Sequence, residues 1–155
     1  MRRLIIGTLA VALTFFGSMN LTTPAHAQVV CMAGIFYSDP VGSGGNTIYG
    51  TSGYDQLYGN DGNDTLWGYE CDDLLVGGIG NDTVYGGPGE DLVYGEEGHD
   101  LLYGGPGKDT IYGGAGDDEI HGGDGDDVIY GGPGYDVCYG GGGNDTFFGC
   151  EVIIP

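Results

Sequence analysis

Positive charge is almost missing from this chain. Lys and Arg together number 3 against 23 Asp and Glu, for a formal net charge of −20. Two of the three cations, Arg2 and Arg3, sit at the very start, so Lys108 stands alone in the rest. A chain of that balance repels phosphate backbones, and nucleic-acid binding is excluded. Long apolar runs are also scarce. The one present, Leu4 to Phe16, spans 13 residues, short of the ~20 that a membrane-crossing helix needs, so no membrane insertion is expected. Catalytic signatures are absent: there is no HExxH, no Gly-x-Ser-x-Gly and no phosphate-cradling Gly-rich loop opening a helix. No catalytic residue is nominated, and the chain is not expected to be an enzyme.

What the chain has in abundance is one nine-residue unit. From Gly50 to Phe148 it recurs eleven times without an insertion. Its first position is Gly in every copy: Gly50, Gly59, Gly68, Gly77, Gly86, Gly95, Gly104, Gly113, Gly122, Gly131 and Gly140. Its sixth is always Asp: Asp55, Asp64, Asp73, Asp82, Asp91, Asp100, Asp109, Asp118, Asp127, Asp136 and Asp145. Its eighth is always apolar: Leu57, Leu66, Leu75, Val84, Val93, Leu102, Ile111, Ile120, Ile129, Cys138 and Phe147. A fixed period without slippage means a solenoid. An apolar residue at each eighth position also argues against a disordered acidic chain.

The positions carry a chemistry. Glycines at one, two and four permit unusual dihedrals and close approach of another backbone, so a turn built on them aims several carbonyl oxygens into one space. The Asp at six adds a carboxylate. Carbonyls with carboxylates form a hard oxygen cage, which suits calcium better than zinc or copper. Positions seven to nine alternate out, in, out, as a strand does. Closing a coil takes two strands and two turns, hence two units, so residue i should stack on i+18.

The pattern Gly-Gly-x-Gly-x-Asp-x-apolar-x resembles the RTX, or haemolysin-type, calcium-binding repeat, over about two thirds of the chain. That resemblance implies an all-β, right-handed parallel β-roll with ions between stacked turns. Asp91 with Asp109, and Asp82 with Asp100, would share an ion. The carbonyls implied as further ligands are those of Gly77, Gly86, Gly87, Gly89, Gly104, Gly105, Gly107, Gly113, Gly114, Gly116, Gly122, Gly123 and Gly125. Thr51, Asn60, Tyr69 and Glu96 replace the second glycine in four copies and Cys71 the fourth in one. Weaker turns are expected there, most of all around Asp73. A degenerate copy ahead of the array, with Asn46 in place of Asp, reads as a cap. Counting gaps between stacked carboxylates gives roughly eight to ten Ca2+ ions. Nine would cancel 18 negative charges; without them self-repulsion should hold the chain open, so that calcium folds it.

The two ends differ from the array. Met1-Arg2-Arg3, the apolar run and Ala25-His26-Ala27 form a secretory signal pattern with a small-x-small cleavage site. The expected organisation is a signal peptide over 1–27, an N-terminal cap over 28–49, the calcium-binding roll over 50–148 and a C-terminal cap over 149–155, with the protein secreted. Four cysteines suit an exported chain with two disulfides; zinc ligation and free thiols are the rivals. Each coil should advance about 4.8 Å, which puts Cys71 and Cys138 roughly 17 Å apart, beyond the ~7 Å between Cα atoms that a disulfide tolerates. The pairing left is Cys31–Cys71 with Cys138–Cys150.

Position nine is mostly aromatic: Tyr49, Tyr58, Trp67, Tyr85, Tyr94, Tyr103, Tyr112, Tyr130, Tyr139 and Phe148, with Val76 and His121 as exceptions. Two outward ladders should result. They either stabilise the strand surface or offer a platform to a cell-surface or extracellular polysaccharide. His99 and His121 read as surface residues. The function expected is calcium binding by a structural or surface-associated module. The alternative is an accessory domain of, or a small, extracellular polysaccharide-active enzyme.

Overall fold

The structure is a computed structural model that describes residues 33–38 and 44–155. The expected signal segment and Cys31 lie outside the described residues. Among those described, the secondary structure is all strand and turn: β1 (Ala33–Ser38), β2 (Thr47–Tyr49), β3 (Tyr54–Asp61), β4 (Thr65–Trp67), β5 (Leu74–Ile79), β6 (Thr83–Tyr85), β7 (Leu92–Glu97), β8 (Leu101–Pro106), β9 (Thr110–Ala115), β10 (Glu119–Asp124), β11 (Val128–Tyr130), β12 (Val137–Gly142), β13 (Thr146–Phe148) and β14 (Val152–Ile154). Odd-numbered strands form one seven-stranded parallel sheet. The even-numbered ones form a second. The chain therefore changes sheet at every nine-residue unit and returns to its own sheet after 18. Several strands are longer than the three residues the repeat suggests, because ladder pairing continues through the glycines, as at Gly105↔Gly123↔Gly141.

The register puts like on like. In one sheet Leu57, Leu75, Val93, Ile111, Ile129 and Phe147 stand in a row. In the other the row is Ile48, Leu66, Val84, Leu102, Ile120 and Cys138. The two rows face each other as the apolar core, fully buried from Leu57 to Cys138. Flanking positions seven and nine are half-exposed. Alternation within each strand thus sends one large apolar side chain in nine inward, which keeps the apolar part of the core thin.

Outward aromatics form two columns. Trp67, Tyr85, Tyr103, His121 and Tyr139 stack at 3.9, 5.0, 4.7 and 4.4 Å between ring centroids. Tyr94, Tyr112, Tyr130 and Phe148 stack at 4.8, 4.6 and 4.8 Å on the opposite sheet. The rings are near parallel, so each covers its neighbour's face and presents its edge to solvent. His121 belongs to this stack and also meets Glu119 Oε1 at 2.9 Å.

The ends break the period. β1 pairs with β3 through a register shift, with Tyr37 opposite Leu57. At the other end Val152 pairs with Val137 and Ile153 with Cys138, a coil of 15 residues in place of 18. Cys138 and Cys150 form a disulfide with Cα atoms 6.1 Å apart. Cys71 is disulfide-bonded too; its expected partner, Cys31, lies outside the described residues.

Four non-glycine residues, Asn60, Tyr69, Cys71 and Glu96, sit at φ of 71, 80, 80 and 81°, the left-handed region that L side chains avoid at a cost of roughly 1–2 kcal/mol. These are four of the five positions where the repeat departs from glycine, Thr51 being the exception, and at these four the coil overrides the preference of the residue. Replacing Glu96 by Gly should therefore stabilise the folded coil by about 1 kcal/mol, read as a higher chelator or thermal midpoint. A lower midpoint would show that the Glu96 side chain contributes more than its backbone costs.

Candidate metal centre

Each coil buries two carboxylates beside its two apolar residues. From Asp55 to Asp136 the sixth-position side chains are between 0 and 3 % exposed, whereas Asp145 is half-buried at the end of its column. The ladder holds them in order: Asp91 N–H donates to Asp109 Oδ1 at 2.8 Å, and Asp109 N–H to Asp127 Oδ1 at 2.8 Å. On the second face Asp82 donates to Asp100 and Asp100 to Asp118, at 2.8 and 2.9 Å. The two columns are those expected, one running from Asp55 to Asp145 and the other from Asp64 to Asp136, with Asn46 donating to Asp64 at its head. Every Oδ1 thus takes a bond from the coil before it.

The other oxygen is different. Oδ2 of Asp73, Asp82, Asp91, Asp100, Asp109, Asp118, Asp127 and Asp136 is buried with no hydrogen-bond partner. Buried polar atoms are nearly always paired, so this regular set of exceptions requires a cause. Carbonyl oxygens gather around most of them. A Cβ on Gly104 would lie 2.3 Å from Asp109 Oδ2 and 2.6 Å from the Gly122 carbonyl oxygen. Around Gly95 the corresponding figures are 2.3 Å to Asp100 Oδ2 and 2.3 Å to the Gly113 carbonyl. Position one is therefore glycine for room, and its φ is not positive at Gly77, Gly86, Gly104, Gly113 or Gly122. This corrects the expectation that unusual dihedrals govern position one as they do two and four. Most second and fourth glycines do take positive φ, as at Gly105 (125°) and Gly107 (150°), with Gly89 an exception. Their backbones lie against carbonyl oxygens of Gly87 and Gly89 in the preceding coil, which places those oxygens in the gap between coils.

The donor set is carboxylate plus carbonyl. Among the described residues no three His, Cys, Asp or Glu side chains converge on one point, as a zinc-type site would demand. One or two carboxylates supplemented by backbone oxygens fit a hard divalent cation. The expected carbonyls at Gly77, Gly86, Gly87, Gly89, Gly104, Gly105, Gly107, Gly113, Gly114, Gly116, Gly122, Gly123 and Gly125 all belong to these turns. The turn around Asp73, expected to be the weakest, has the same arrangement as its neighbours: Asp73 Oδ2 and the Gly86 carbonyl oxygen lie 2.4 and 2.5 Å from a Cβ on Gly68. The departure is at Asp55. There Thr51 donates its N–H and hydroxyl to Oδ2, at 2.5 and 3.1 Å.

Two features escaped the sequence reading. One is position five, whose Asn, Asp and His side chains accept the N–H of the next coil's fifth residue, as Asn63 does from Asn81 and Asn81 from His99. Its polar, turn-favouring composition was the available signal. The other is Glu151, which accepts the Asp136 N–H at 2.8 Å; nothing in the nine-residue period points to it.

Electrostatics make the cost of the arrangement plain. Asp91 is pushed up to about 8, Asp73, Asp100 and Asp109 to about 7, and Asp82 and Asp118 to about 6, from 3.8. Burial is the main cause in each. The N–H of the preceding coil's Asp opposes it, and the carboxylate one coil away adds to it. Because these folded-state values lie above the unfolded one, the metal-free coil gains stability from protonation that is complete below about pH 4 and is lost as pH rises through 6 to 8. In chelator the protein should hold more strand structure at pH 4.5 than at pH 8, by circular dichroism. Metal-free stability that rises with pH would contradict the carboxylate burial. A Gly104→Ala change, which leaves φ untroubled, should abolish cation binding in the turn holding Asp109 by filling its oxygen-lined space; native mass spectrometry would count the loss, and an unchanged ion count would refute the space argument.

The family model of the RTX calcium-binding nonapeptide repeat matches the chain four times, over residues 41–70, 72–102, 103–138 and 139–149. These stretches include every sixth-position Asp described above. No curated protein matches the chain.

Proposed function

Because this chain belongs to the RTX calcium-binding nonapeptide repeat family, we propose that it is a secreted solenoid that folds on calcium and serves as a structural or surface-associated module. In this reading the stacked carboxylates and turn carbonyls hold several ions, roughly eight to ten, between neighbouring coils. The observation that carries it is the column of buried Asp Oδ2 atoms without hydrogen-bond partners. Calcium would supply the positive charge and the oxygen coordination that these atoms lack. Asp100, with a carboxylate one coil away on both sides, would serve two gaps, and Asp145, last in its column, would serve one.

Folding and binding follow as one event. One apolar residue in nine offsets little of the entropy of ordering a glycine-rich backbone, and the carboxylates oppose closure until they are neutralised. Extracellular calcium modules bind at about 10⁻⁴–10⁻³ M, so a chain carrying the basic, apolar and Ala25-His26-Ala27 pattern would leave the cell open and set outside it. The polysaccharide reading draws less support. The stacked rings hide their faces from one another, which leaves edges where a sugar ring would need a face. Retention of glycans by the loaded protein would restore that reading, and cleavage would turn it into an enzyme.

Circular dichroism of the reduced protein should show little strand signal in chelator and a full one in millimolar calcium, with magnesium failing to substitute. A reduced chain fully folded in chelator at pH 8 would sink the coupled mechanism. Counting ions gives the finer check: Asp100→Ala should lose two and Asp145→Ala one, and equal losses would overturn the assignment of ions to gaps between coils.

A further inference from the structure

Gaps between coils can be followed to the end of the chain, and the last one is closed by a residue outside the repeat. Seven of the eight orphaned Oδ2 atoms have a sixth-position Asp one coil further on: Asp73, Asp82, Asp91, Asp100, Asp109, Asp118 and Asp127. The eighth is Asp136, fully buried, and the residue 18 further on is Ile154. Yet its surroundings match the interior ones. A Cβ on Gly131 would lie 2.4 Å from the Gly149 carbonyl oxygen and 2.6 Å from Asp136 Oδ2, the same pair of oxygens found around Gly68, Gly86, Gly95, Gly104, Gly113 and Gly122. Gly140, beside Asp145, shows the contrast. Its nearest atoms are the Asp145 carboxylate and the Phe147 ring, with no carbonyl from a further coil.

We propose that Asp136, the Gly149 carbonyl and Glu151 form a terminal divalent-cation site, and that Glu151 acts there as a ligand in place of the missing repeat Asp. Glu151 Oε2 accepts the Asp136 N–H at 2.8 Å, the bond that Oδ1 of the following Asp accepts everywhere else in the column. The extra methylene of Glu compensates for a turn shortened by three residues, from a coil of 18 to the 15 that separate Asp136 from Glu151. What fixes the shortened turn is covalent. The Cys138–Cys150 disulfide, 12 residues apart, ties Cys150 to the core strand next to Asp136, and Glu151 N–H returns to the Asp136 carbonyl at 3.1 Å. The like charge of Glu151 beside buried Asp136 is the same pairing of carboxylates that the interior gaps contain.

This inference rests on the calcium reading of the chain, and the test separates the two. Native mass spectrometry of the oxidised, calcium-loaded protein counts ions one at a time. Glu151→Gln keeps an oxygen to accept the Asp136 N–H but removes the charge, so the cap should stay closed while the complement falls by one ion. An unchanged complement would overturn the proposal and reduce Glu151 to a structural cap. Asp136→Asn gives an independent count, since Asp136 serves the gaps toward Asp118 and toward Glu151. It should lose two ions where Asp145→Asn loses one; a loss of one at Asp136 would again overturn the site. Peptide mapping of Cys138–Cys150 in both variants checks that the end of the coil is intact. A wild-type protein that takes up no calcium at all would overturn the function proposed for the whole array, and this site with it.

Discussion

The structure depends on burying carboxylates in a core too thin to tolerate them alone. Each interior coil sends two apolar side chains and two Asp side chains inward, and from Asp55 to Asp136 the Asp residues are as inaccessible as the leucines. Two ionised carboxylates one strand spacing apart repel by roughly 3 kcal/mol at an effective dielectric of about 20, and each interior Asp has such a neighbour on both sides. The backbone N–H of the coil before relieves one oxygen. The other is left to whatever the gap between coils can hold. Glycine at position one, the positive φ at two and four and the parallel stacking at 18 residues all leave that gap open and line it with oxygen.

Much of this was legible because each coil repeats a strict pattern. Asp at six and an apolar residue at eight recur without exception, and alternation along a strand is enough to place Ile111 inside and Tyr112 outside. The reason for glycine at position one was not legible. Dihedral freedom and lack of room select the same residue, and only the packing of Asp109 Oδ2 against Gly104 separates them. The aromatic columns were legible as columns, but not as rings that shield one another, because the tilt of a side chain is not carried by its spacing. Glu151 was illegible for the opposite reason. It acts where the period fails, through a shortened coil and a disulfide that no repeat unit encodes.

Solenoids have ends, and the interior interactions do not provide for them. At the start, the strand Ala33–Ser38 adds itself to β3 through a shifted register, covering an edge that would otherwise offer unpaired backbone groups. At the finish, β14 does the same for β12 with a coil three residues short. Disulfides lie toward both ends, at Cys71 and at Cys138–Cys150, while the middle of the array has none. The Cys138–Cys150 cross-link closes the last coil, which has a neighbour on one side only and where opening would begin; Cys71 lies further in, between β4 and β5.

The two ends cannot be alike, because the column of carboxylates has a direction. Each Asp turns Oδ1 toward the coil before it, and most share the space around Oδ2 with a carbonyl of the coil after it. At the N-terminal end the unsatisfied demand is small. Asp55 finds Thr51 in its own turn, whose N–H and hydroxyl occupy the oxygen that is orphaned elsewhere, so that oxygen is satisfied by hydrogen bonds within the turn. No such donor stands by Asp136, where position two is Gly132. Its Oδ2 still looks into a gap, and what the chain provides across that gap is a second carboxylate. A hydrogen-bond donor at one end and an acid at the other is the asymmetry expected of a stack in which every coil leaves its demand for positive charge to the next.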